Sequence, residues 1–114
     1  MIATLFALIA IQATSDSPPL PATIEEAWNI VQSDRSCKRS KYPRLAMTMY
    51  FCEEKLTVWY FTVPDDELPP GFVRRMLVIE GGKTYMLTDS KYFGTDAQES
   101  AFIAWQAEIA RAIQ

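Results

Sequence analysis

FVRRMLVIEGGKTYML, residues 72–87, decides the fold of this chain. Two apolar, strand-like runs flank Gly81-Gly82, a dipeptide that accepts the positive φ needed in a two-residue hairpin turn. The stretch therefore predicts two antiparallel strands, with Glu80 and Lys83 facing each other as a weak pair.

Upstream, PDDELPPG (residues 64–71) breaks the pattern with prolines and a glycine. Before it lie two more strand candidates. RLAMTMYFC (44–52) alternates Leu45, Met47, Met49 and Phe51 against Ala46, Thr48, Tyr50 and Cys52, and KLTVWYFTV (55–63) is dense in β-branched and aromatic residues. The polar link from Cys52 to Lys55 is short enough to make them a hairpin. Both faces of these strands carry apolar groups, which fits helices on both sides or a homodimer.

Helices are expected at the two flanks. Thr23 followed by Glu26, and Thr95 followed by Gln98, are capping-box spacings. Ile24, Ala27, Trp28 and Val31 then recur at helical spacing to about Ser33, as do Phe102, Trp105, Ile109 and Ile113 in the last segment. The fold class is therefore α+β, in the order α-β-β-β-β-α, with a mostly antiparallel four-stranded sheet packed by helices.

The chain has 114 residues, 49% apolar and 22% charged, a composition that suits one small domain. MIATLFALIAIQA (1–13) carries no charged side chain, and its apolar run is shorter than the roughly 20 residues that span a bilayer. Residues 1–15 read as a signal peptide cleaved after Ala13 or Ser15, although no Lys or Arg marks its start. The competing reading is a buried N-terminal element. Residues 16–22 read as a Pro/Ser-rich tether and residues 23–114 as one domain. A periplasmic or secreted location follows.

Cys37 and Cys52 are the only cysteines. They are not a CxxC pair, and there is no histidine to complete a zinc site with them. A structural disulfide is the expectation, and the loop it closes stabilises the fold by about 3 kcal/mol in the chain-entropy model. The alternative is two separate buried thiols.

Arg35, Lys38, Arg39, Lys41 and Arg44 form the densest charge cluster, with Asp34 the one acid beside them. Such a patch can meet phosphates, with Tyr42 and Tyr50 near for stacking. Nucleic acid fits poorly, because the whole chain carries a formal charge of −3 and shows no nucleic-acid motif. An anionic surface component or an envelope protein fits the compartment better, and a solvated loop around the disulfide is the plain alternative. Tyr50 and Tyr60 are candidate docking aromatics, Tyr60 on the premise that Trp59 and Phe61 point inward.

Catalytic signatures are missing. The absence of histidine removes the usual triads and imidazole metal sites. Gly81-Gly82 has no phosphate-loop continuation, and Ser36-x-x-Arg39 is not Ser-x-x-Lys. Asp65, Asp66 and Glu67 lack the EF-hand pattern. No metal or cofactor is expected. The sequence reads as a noncatalytic binding or accessory protein. The rivals are a small hydrolase-like enzyme using carboxylate, Lys or Tyr chemistry, and a cytosolic phosphate- or nucleic-acid-binding domain.

Overall fold

The structure, a computed structural model, describes residues 18–42 and 46–112. The leader read at residues 1–15, the cation Arg44 and the stripe residue Ile113 lie outside the described residues. Helix α1 spans Ile24–Ser33. Strands β1 (Cys37–Tyr42), β2 (Met47–Cys52), β3 (Thr57–Thr62), β4 (Gly71–Glu80) and β5 (Lys83–Tyr92) follow, and helix α2 spans Glu99–Ala112.

Local chemistry sets several of these boundaries. The Thr23 hydroxyl accepts the Glu26 N–H at 3.1 Å and starts α1. Thr95 and Gln98 complete a reciprocal capping box, after which a 3-10 turn at Asp96–Gln98 leads into α2. Gly81 and Gly82 take φ of 58° and 77°, and Glu80 sits opposite Lys83, so the central hairpin forms as its sequence demands. Between β3 and β4, Thr62 Oγ1 donates to the Pro69 carbonyl at 3.0 Å and accepts from the Gly71 N–H at 2.9 Å. That hydroxyl clamps the proline-rich loop to the sheet.

Among the described residues the sheet is antiparallel throughout and has five strands in chain order, not the four expected from sequence. The added strand is CKRSKY, the segment read as a charged loop. It pairs with β2 from Cys37 opposite Cys52 to Tyr42 opposite Met47. A strand at the sheet edge keeps one flank in water, so charged side chains that would be excluded from a central strand are tolerated there.

Alternation along the strands sorts the core into two clusters. Met47, Tyr60 and Val73 share one with Phe102, Trp105 and Ile109 of α2. Trp59, Phe61 and Phe72 share the other with Ala27 and Val31 of α1. Trp28 stacks on Phe61 with ring centroids 4.0 Å apart. Burying an aromatic side chain of this kind contributes about 1.5–3 kcal/mol.

β4 and β5 are longer than their neighbours. β3 follows β4 only as far as Thr57 opposite Met76, and the Leu77 N–H still reaches the Leu56 carbonyl at 2.9 Å. Beyond that point, among the described residues, β4 and β5 continue as a two-stranded arm.

Candidate functional site

Around the Cys37–Cys52 disulfide, the end of α1 meets the outer hairpin. Asp34 follows the helix, and one of its carboxylate oxygens accepts the Ser36 N–H at 2.9 Å and the Ser36 hydroxyl at 2.8 Å. Lys55 Nζ lies 3.6 Å from the other oxygen. These donors, the Ser36 N–H first, hold the Asp34 carboxyl below its ordinary range. A carboxylate so satisfied is a weak base near neutrality, and Lys55 points largely into water. An acid beside a lysine therefore exists here as the lock of a turn.

Asp34 and the two sulfurs lie within 4.8 Å of one another. The disulfide uses both sulfurs, so neither offers the thiolate that a metal would need. The loop acid Asp65 is likewise engaged. One carboxylate oxygen, Oδ1, accepts both the Glu67 and Leu68 N–H groups, at 2.8 and 2.7 Å, which lowers the Asp65 pKa and gives this acid the part of a turn lock.

Beside the disulfide, a cavity of about 220 Å³ opens between Ile30 of α1 and the sheet, with Cys52, Thr57, Trp59, Arg74 and Met76 in its lining. Arg74 is its most informative member, at 3% exposure. Its Nη2 donates to Asp89 at 2.9 Å and its Nη1 to the Pro18 carbonyl at 2.8 Å, while the guanidinium lies 6.0 Å from the Trp59 ring centre. Nε is buried and meets no hydrogen-bond partner among the described residues. Sequence reading passed over this residue. The signal was a cation between Phe72 and Met76 on one phase of a strand, where only a paired charge can be buried.

The basic cluster does not gather on one surface. Lys38 and Arg39 are exposed neighbours in β1 and so project to opposite faces of the sheet. Arg35 is exposed in the preceding turn, and Lys41 stands in β1 opposite Thr48. The two candidate aromatics separate as well. Tyr50 is half-buried and packs edge-on against Trp28 and Phe61. Tyr60 is not outward-facing as expected. It is 4% exposed within the α2 cluster, because the face opposite Trp59 and Phe61 is covered too.

Single apolar side chains reach solvent at Ile30, Phe51, Leu56, Val63 and Ile103, and a group of them does so on the arm. Ile79, Tyr85 and Met86 are 67%, 43% and 48% exposed. Val78 opposes Tyr85 on one face of the ribbon, and Leu77 opposes Met86 on the other. A two-stranded ribbon offers few residues of its own to bury two apolar faces, and among the described residues these side chains stay exposed.

Comparison with protein families, with curated proteins and with solved structures finds no match for this chain. A formed disulfide, together with no described helix long and apolar enough to cross a membrane, is compatible with an extracellular location.

Proposed function

We propose that this chain is a small noncatalytic binding or accessory protein of the cell envelope or secreted fraction, and that it docks a protein partner on the β4–β5 arm. The observation that carries this reading is the exposure of Ile79, Tyr85 and Met86 on a ribbon apolar on both sides. Exposed apolar area of that kind costs solubility and is retained where a partner covers it. The disulfide supports the compartment, and the two buried clusters support a sheet layered between α1 and α2 that holds the arm out as a stable projection.

An anionic surface component on the basic segment is the less favoured partner, since Lys38 and Arg39 part to opposite faces. The enzymatic rival loses ground with Asp34 and Asp65, each of which uses one carboxylate oxygen to hold its own turn.

A photo-reactive phenylalanine analogue at Ile79, in protein made in its native host, tests the docking surface. Irradiation is expected to give a discrete adduct with a second protein, and the same analogue at exposed Glu108 none. No adduct from Ile79, or equal adducts from both sites, overturns the arm as the working surface. Intact mass before and after reduction and alkylation tests the compartment. Loss of the leader up to Ala13 or Ser15 is expected, with two thiols appearing only on reduction. A retained leader with both thiols free in a soluble fraction overturns it.

A further inference from the structure

The two edges of the sheet are guarded differently. β1 is six residues long and carries Lys38, Arg39 and Lys41, the kind of side chains that keep an edge from pairing. β5 is ten residues long, pairs with β4 in unbroken register and contains no proline. Among the described residues no strand pairs with its outer flank, which makes it an open template.

The phase of its free groups can be read from two bonds. The Leu77 N–H runs away from β5 to Leu56, so Leu77 and Met86 form a pair without mutual hydrogen bonds, and Met86 turns its own N–H and C=O outward. At the other end the Phe93 N–H runs inward to the Pro70 carbonyl at 2.8 Å, which gives the same phase. Thr84, Met86, Thr88 and Ser90 thus present the outer main-chain groups of the edge.

We infer that β5 pairs antiparallel with β5 of a second copy of this chain, about a two-fold axis at Met86, making one continuous sheet across the two molecules. In that register Lys83 faces Asp89 of the second copy, Thr84 faces Thr88, Tyr85 faces Leu87 and Met86 faces its twin. Every opposition joins like chemistry or opposite charge. The neighbouring registers allowed by the hydrogen-bond phase do not. An axis at Leu87 sets Lys83 against Lys91, and an axis at Tyr85 sets Lys83 against Leu87. Asp89 remains reachable, with a side chain 36% exposed beside Arg74. The pairing covers exposed Tyr85 and Met86 at the edge, and it is isologous, so it closes at two copies.

This goes beyond the docking reading, which concerns the faces of the arm, and each can fail without the other. The test is the mass of the natively produced, disulfide-bonded protein in solution, by size exclusion with light scattering across a concentration series. A concentration-dependent dimer is expected. Thr88→Pro removes an outward N–H that meets no partner among the described residues, so the variant is expected to keep its circular dichroism and melting temperature while association weakens about tenfold or more. Register is read separately and does not depend on the proline variant folding. Met86→Cys places the introduced thiols opposite each other, at about 5.5 Å between Cα atoms, and is expected to give a covalent dimer. Thr84→Cys offsets them along the strands and is expected to give none. A monomer at every concentration overturns the inference, as does a dimer that survives Thr88→Pro while Met86→Cys stays uncrosslinked. Crosslinking of Met86→Cys only to another protein assigns the edge to a foreign strand and also overturns it.

Discussion

Gly71 opens β4 at a point where three pieces of chain converge. A Cβ there would lie 2.6 Å from the Phe102 ring and 2.8 Å from the Lys91 carbonyl oxygen. The carbonyl belongs to the paired strand and cannot step aside, so Gly71→Ala is expected to destabilise the fold by about 1–3 kcal/mol, measured by urea denaturation. The two locked aspartates give a second expectation. Asp34 and Asp65 are held by N–H donors that bond the ionised form, so their folded pKa values lie below the ordinary 3.8. Their contribution is fully present above that value and is lost as pH falls through and below it. Melting temperature should therefore drop in that acid window, and Asp34→Asn and Asp65→Asn should each flatten part of the drop. Neither lock was legible from sequence. Asp65 is one of three crowded acids in the sequence, and only the fold of its loop shows its Oδ1 accepting from Glu67 and Leu68.

Among the elements, those with a local cause were readable and those with a tertiary cause were not. Gly81-Gly82 and the threonine caps act on residues within one turn, so their spacing alone places the hairpin and the helix starts. β1 has no such signature. CKRSKY is polar and charged, and its extended form is fixed by a cross-strand bond from Cys37 to Cys52 and by an edge position the sequence does not announce. Tyr60 shows the same limit. Alternation puts it opposite Trp59 and Phe61, but whether that face is wet depends on α2, some forty residues further on. Because the disulfide spans 15 residues and pins an edge strand poor in apolar side chains, its loss should act on β1 first. The double variant Cys37→Ala/Cys52→Ala is expected to lose about 3 kcal/mol in chemical denaturation. Amide exchange should rise earliest in Lys38–Tyr42, while β3 and β4 stay protected.

At the scale of the whole molecule, the aromatic core and the arm occupy different parts of the sheet. Phe61 is fully buried between Trp28, Trp59 and Phe72, whereas Ile79 stands on the arm beyond the last pairing with β3. Phe61→Ala is expected to cost about 3–5 kcal/mol of unfolding free energy. Ile79→Thr is expected to stay within about 0.5 kcal/mol of the parent. Unfolding curves of the two variants under one set of conditions check the contrast, and an arm that melted the core when altered would belong to it. The strict chain order of the strands has one more consequence, in the time domain. Each strand finds its neighbour already made just before it, so the sheet can be laid down from β1 onward as the chain emerges, with no strand waiting for a distant one. Cys52 arrives 15 residues behind Cys37 and brings the only possible partner with it. Oxidation can then lock the first hairpin before the rest of the sheet exists, and within one chain there is no wrong bridge to form.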